Sequence, residues 1–310
     1  MFTDAAPVTG PLLRELRTVA GIGLRQMAIR TAFAPSYLSM VETGTKPVTA
    51  PVLKAYRDIL GDPVLGLGVD VARLATPGAT TLTDVETILA RSRRLEDTAG
   101  AHLVVAMARG LDGLARVLAG HTDTAAPLAS ETARFRGWLE LASGHPHLAN
   151  KALADSIVLA DTTGDPSQRA HARSFRAYAL REAGAPARAL DLVDDALTIG
   201  AVHPMLRVYD LYARAKYLAA LGDTAAALRA LPKADRAAGH LDYRDPPPYS
   251  YWLTPGFLGL QRGRVLWIAG QRNGARGEVL AGLDALPPAD REASWAGKWR
   301  AVADGADVPG

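Results

Sequence analysis

The chain has no cysteine, which excludes disulfides, thiolate metal sites and a cysteine nucleophile together and suits the reducing interior of a cell. It also lacks any stretch of the roughly 18 uninterrupted apolar residues that a membrane span requires. Its opening residues, MFTDAAPVTG, lack the basic-then-apolar order of a secretory signal. A cytoplasmic protein without membrane contact is expected. No segment alternates polar and apolar residues with period two, so no strand is expected, and without strands there is no glycine-rich phosphate loop following one. Of seven histidines only His145 and His147 are near neighbours, in the turn GHPH, which is too few ligands for a metal. The acidic pairs Asp194-Asp195 and Glu96-Asp97 read as solvated helical faces. No cofactor, no metal and no catalytic residue is expected, so the chain is not read as an enzyme.

What remains is the composition of a helical protein: apolar residues are 48% and charged residues 22% of 310, with abundant alanine and few β-branched runs. That length allows two domains with their own cores. The net charge is only +3, so nucleic-acid binding has to be argued locally.

Four glycines organise the larger part of the chain. Gly144, Gly184, Gly222 and Gly270 each fall between two helical stretches, at spacings within the range of helical-hairpin repeats. Seven residues before them lie Gly137, Ala177, Ala215 and Gly263; five after lie Ala149, Ala189, Ala227 and Ala275; twelve after lie Ser156, Ala196, Ala234 and Gly282. All are small. Nine after, the residue is larger and apolar: Leu153, Val193, Leu231 and Val279. Two helices that cross at close range, four times over, produce this pattern, and such hairpins stack so that each buries the face its neighbour leaves open. The pattern resembles tetratricopeptide repeats with lengthened loops.

Residues 12 to 60 read as a separate compact unit. Leu13, Leu16 and Ala20 form one apolar stripe, Leu24, Met27 and Ala28 a second, and Tyr37, Leu38 and Val41 a third on a helix opened by Pro35; Pro51 opens another with Val52, Leu53, Tyr56 and Ile59. Proline suits the first turn of a helix. With SYLSMVETG followed by TKP, this segment resembles the helix-turn-helix domain of the Xre/Cro family of bacterial regulators, which ends its recognition helix in glutamate, a variable residue and glycine. The resemblance implies that Arg25 to Thr31 and Pro35 to Glu42 are the reading pair, with the second in the major groove. It places Pro35, Ser36, Ser39 and Met40 at base edges and Arg25, Thr43, Thr45 and Lys46 near phosphates. The departures are Leu24, where the family usually has a polar residue, Ala34, where it has a capping serine or threonine, and Met40, where it often has a polar or basic reader. Without arginine, asparagine or glutamine in the helix, direct readout is expected to be weak. Residues 1 to 62 carry seven basic side chains against five acidic ones, a net of +2, so neutralising about 6–10 phosphates needs two copies.

The fold expected is therefore all-α: a five-helix helix-turn-helix domain over 1–62, a linker over 63–82 and an α-solenoid of about four to five hairpin repeats over 83–310. The resemblance to tetratricopeptide repeats implies that the first helix of each pair lines a concave side. That set is Glu131, Arg134 and Trp138; His171, Ser174, Tyr178 and Arg181; Tyr209, Tyr212 and Lys216; and Phe257, Leu260, Arg264 and Trp267. Rings and cations together suit a ligand with flat apolar area and an anionic group; aromatic stripes at helical spacing serve equally well as core. The loop HLDYRDPPPYSYWLTPGF adds Tyr251 and Trp252, as a wall of such a site or as a plug over apolar surface. The architecture resembles ligand-sensing regulators of high-GC Gram-positive bacteria. It implies a dimeric transcriptional regulator with double-stranded DNA and a small molecule or peptide as partners. The alternatives are a peptide-binding scaffold whose DNA contact has decayed and, last, an enzyme using Tyr178, His171, Arg173 or Tyr212.

Overall fold

The computed structural model describes residues 8–60, 79–244 and 246–307. All regular structure among them is helical, and no helix is long and apolar enough to cross a membrane. The expected linker lies, from 63 to 78, outside the described residues; its last four residues are helical. The chain forms two compact units, Met1–Arg93 with Ala101–Thr163, and Arg94–Gly100 with Gly164–Gly310.

In the first unit, α1 (Gly10–Val19), α2 (Leu24–Thr31), α3 (Pro35–Glu42) and α4 (Ala50–Leu60) precede α5 (Ala79–Ala99), whose end from Arg94 onward belongs to the second unit, and α6 (Ala101–Ala119), α7 (Ala126–Ala142) and α8 (Pro146–Thr162). Each apolar stripe read from the sequence faces one core: Leu13, Leu16, Met27, Leu38, Val41, Val52 and Tyr56 are fully or almost fully buried, together with Leu89, Val104 and Leu118 of the following helices. Helix α1 lies close against α6, where a Cβ added at Gly113 would stand 2.8 Å from Leu16 Cδ2. The described helices of the N-terminal segment thus share one core with α6 and do not form an isolated bundle.

In the second unit the hairpins α9 (Pro166–Glu182) with α10 (Pro186–Thr198), α11 (Pro204–Ala220) with α12 (Thr224–Gly239), and α13 (Pro255–Ile268) with α14 (Arg272–Asp284) stack in sequence, and α15 (Pro288–Glu292) and α16 (Gly297–Ala303) follow. With α7 and α8 these are the four hairpins marked by glycine. Gly144, Gly184, Gly222 and Gly270 have φ of +79°, +78°, +87° and +81°, a conformation that glycine adopts without strain. After each, the next amide donates to a carbonyl five residues back, as His145 N does to Glu140 O at 2.8 Å and Gln271 N to Leu266 O at 2.8 Å. This closes the first helix of the pair.

The small residues do what their spacing implied. A Cβ at Gly137 would lie 2.5 Å from Leu153 Cγ, and one at Gly263 would lie 2.6 Å from Val279 Cγ2 and 3.0 Å from the Ala275 carbonyl oxygen. Gly263→Ala is therefore expected to destabilise the protein by about 1–3 kcal/mol through overpacking. Gly274→Ala, in the same hairpin with nothing within 4 Å of the added carbon, is expected to stabilise it by up to ~1 kcal/mol. Urea unfolding of the two variants checks the opposite signs; a neutral Gly263→Ala would show that the helices do not need this close approach.

Candidate functional site

The glutamate that closes the helix-turn-helix motif is a buried strut. Glu42 is 3% exposed and receives Arg17 Nε on Oε1 at 2.6 Å, Arg17 Nη2 on Oε2 at 2.7 Å, and the Tyr56 hydroxyl on Oε1 at 2.6 Å. One carboxylate therefore joins α1, α3 and α4. The Arg17 fork also holds the turn before α2, with Nη1 donating to the Ile22 carbonyl at 2.8 Å. The hydrogen bond to Glu42 raises the Arg17 pKa, and burial followed by the same carboxylate raises that of Tyr56. No local pattern marks Arg17 and Tyr56 as serving α3: they are 25 and 14 residues from Glu42.

This strut sets α3 on the surface. Of the residues assigned to DNA, Arg25, Pro35, Ser36, Thr43, Thr45 and Lys46 are exposed, and Ser39 and Met40 are half-buried. Ala34 gives α3 no side-chain cap. The Thr43 hydroxyl closes the other end, donating to the Ser39 carbonyl at 2.9 Å, and the Lys46 ammonium lies 5.3 Å from the centre of the Tyr37 ring. Gln26 and Arg30 of α2 are also exposed; Gln26 was not named from the sequence, although its amide could reach a phosphate or a base edge. Elsewhere in this unit, a groove of about 820 Å³ between α1, α6 and α8 is lined mainly by apolar atoms of residues including Leu12, Val117 and Leu159, and no residue assigned to DNA or ligand lines it.

Among the residues assigned to the ligand, Arg134 and Trp138 belong to the first unit, the former buried and the latter half-buried. The others belong to the second unit, where they fall into three groups. Rings form the first. Trp252, from the proline-rich loop, meets Tyr209 edge-on at 5.4 Å, Phe257 at 4.8 Å and Phe175 at 6.1 Å between centroids, while His171 packs on Tyr249 at 5.3 Å. The loop thus covers rings of α9, α11 and α13 with its own. Tyr251 turns away to donate to Asp97 Oδ2 at 2.9 Å, beneath the Arg94 guanidinium.

Side chains already engaged form the second group. The Tyr212 hydroxyl donates to Asp235 Oδ1 at 2.7 Å, Ser174 Oγ lies 2.5 Å from Asp210 Oδ1, and Trp267 is covered by Arg272 at 3.9 Å. Cations form the third: Arg181 on α9, Lys216 on α11 and Arg264 on α13, joined by Lys298 on α16, which was not named from the sequence. Arg181 and Arg264 share Glu182, at 2.8 and 3.3 Å. Lys216 is 1% exposed. Burial, then Arg264 and Arg181, push its pKa well below the usual lysine value. Lys298 keeps an exposed surface, yet burial of its ammonium and the Arg264 charge push it down to about 8.

Among the described residues no group of three or more His, Cys, Asp or Glu side chains could hold a metal.

No protein-family model and no curated protein matches the chain. Among solved structures, it is similar to that of Bacillus thuringiensis PlcR in complex with the peptide PapR7 and DNA, at 15% identity over 89% of this chain and 94% of that one, with a TM-score of 0.45. It is also similar to the apo form of the competence regulator ComR from Streptococcus vestibularis, at 14% identity over 96% and 97% of the two chains, with a TM-score of 0.37.

Proposed function

We propose that this protein is a cytoplasmic, dimeric transcriptional regulator of the Xre type and not an enzyme. Residues 1–62 bind double-stranded DNA, with α3 in the major groove, and residues 83–310 hold a small molecule or peptide through the first helices of the hairpins. The observation that carries this reading is the division of labour in α3. Its motif glutamate is consumed inside by Arg17 and Tyr56, while Pro35, Ser36 and the flanking Arg25, Thr43, Thr45 and Lys46 stand exposed. A helix locked by its inner face and left open on its outer one is what groove insertion requires. Ligand binding then shifts the arrangement of two DNA-binding segments by the difference between its affinities for the two states.

The reading is tested by titrating salt against the full chain on a duplex from its own upstream region and on a scrambled duplex of equal length. Specific binding near physiological salt is expected. Arg25→Ala and Lys46→Ala are each expected to weaken binding on both duplexes and to lower the salt slope by about 1; slopes equal to that of the unaltered protein would remove both residues from the phosphate contacts. The second reading, a peptide-binding scaffold without DNA contact, is favoured by the composition of α3, PSYLSMVE, which has no arginine, lysine, asparagine or glutamine. Equal affinity for the two duplexes at low salt, and none at physiological salt, is the result that would select it.

A further inference from the structure

Among the described residues, Lys216 and Lys298 of the second unit make no ion pair, although both lie in a cluster of cations. Arg181, Lys216, Arg264 and Lys298 come from four different helices and influence one another electrostatically, and among the described residues the carboxylate acting on them is Glu182. That is four positive charges against one negative. Glu182 is taken by the two guanidiniums. Lys216 makes no ion pair or hydrogen bond among the described residues; its ammonium faces the rings of Tyr217 and Tyr178, at 5.1 and 5.7 Å from their centres. The neighbouring Tyr217 hydroxyl is buried with no hydrogen-bond partner.

An ammonium held out of water without an anion is costly, and cations around it raise that cost. A leucine or methionine at 216 would fill the same space without it. The arrangement makes physical sense if an anion completes it: lysine offers three donors, the guanidiniums offer forks that match planar oxyanions, and such bonds strengthen where water is scarce. The cluster is buried at Lys216 and Arg264 and exposed at Glu182 and Lys298, so its rim on that side faces solvent.

We propose that Arg181, Lys216, Arg264 and Lys298 form the binding site for an oxyanion, the carboxylate or phosphate group of the ligand sensed by the second unit. The proposal rests on the ligand-sensing part of the function proposed above and narrows it to acidic ligands. Neutral ligands of the same shape are rejected because they leave Lys216 without a counter-charge.

The test is thermal melting of the full chain, without DNA, at constant ionic strength. Three probes of similar bulk are added: N-acetylphenylalanine, phenyl phosphate and the uncharged N-acetylphenylalanine amide. At about ten times its dissociation constant an anionic probe is expected to raise Tm by ~3 °C or more, and the amide to leave it unchanged. The carboxylate and phosphate arms show which oxyanion is preferred. Lys216→Met is expected to melt above the unaltered protein in the absence of probe and to lose the response, and Lys298→Gln, at the exposed rim, to weaken the response about tenfold without changing the unliganded Tm. Equal shifts with acid and amide, a response that survives in Lys216→Met, or a lower unliganded Tm for that variant would each overturn the proposal. DNA binding by the unaltered protein is measured on the same preparation. A missing anion response with specific DNA binding intact overturns this inference and leaves the regulator reading standing; the reverse result does the opposite.

Discussion

Glu42→Gln is expected to destabilise the N-terminal helices by about 3–5 kcal/mol, because it leaves the Arg17 guanidinium buried without its counter-charge. Arg17 and Glu42 side chains are 10% and 3% exposed, so water cannot take over the lost contacts. Glutamine keeps the shape and one acceptor oxygen but offers an amide where Arg17 Nη2 needs an acceptor. The five tryptophans lie at 138, 252, 267, 295 and 299, none of them in these helices although Trp138 packs on the core they share, so fluorescence will not localise the loss. Amide hydrogen exchange over residues 10–60 will, as faster exchange in α1, α3 and α4. Specific DNA binding should fall with it, since α3 is aimed by this strut. Arg17→Met combined with Glu42→Leu and Tyr56→Phe is expected to recover much of the stability, because a buried ion pair is often no better than apolar side chains of similar size. Exchange in Glu42→Gln unchanged from the unaltered protein would mean that packing by Leu13, Leu38 and Val52 holds α3 unaided.

The contrast between this strut and the hairpins shows what a sequence of this kind displays. Gly144, Gly184, Gly222 and Gly270, and the small residues around them, respond to constraints that lie within a single hairpin: a left-handed turn and two helices in contact. Such constraints repeat at fixed spacing and can be counted. The helix-turn-helix was legible for the same reason, since its apolar stripes and SYLSMVETG are local. Charged contacts across helices follow another rule. They depend on how far one helix is rotated and slid against the next, which ridges and grooves decide. Arg109, Glu140, Arg136, Asp112 and Arg116 form a linked set of ion pairs inside the first unit, and no periodicity marks it. Lys216 is expected from the repeat pattern on the first helix of its hairpin, but its lack of an ion pair among the described residues appears only once Lys298 and Glu182 are set beside it. The ring-rich loop was recognisable as unusual, while the position of Trp252 among Tyr209, Phe257 and Phe175 was left open between a wall and a plug. Its ring is half-buried and packs on the three others at the edge of their core.

Asp210 gives the second large effect, read through pH. It is 1% exposed on α11, lies 2.5 Å from the Ser174 hydroxyl, and has its pKa raised by burial to about 7, against smaller opposing effects of Ser174 and Arg207. An unfolded aspartate titrates near 3.9. Between these values the folded protein holds a proton that the unfolded chain has released, so stability falls as pH rises. The contribution is fully present below about pH 4 and is lost as pH passes through about 7; a three-unit difference corresponds to roughly 4 kcal/mol. Asp210→Asn cannot ionise and still offers hydrogen bonds to Ser174. It is expected to be markedly more stable than the unaltered protein at pH 8 and similar to it at pH 4, with a flatter stability profile between. Urea unfolding at intervals across this range measures the difference, and parallel profiles would show that Asp210 stays ionised in the fold. Ser174 is then explained without a ligand: its hydroxyl, assigned from the sequence to the concave lining, serves a buried carboxyl on the next hairpin. Lys216, beside the Arg181 and Arg264 pair on Glu182, is left as the buried cation that makes no ion pair among the described residues.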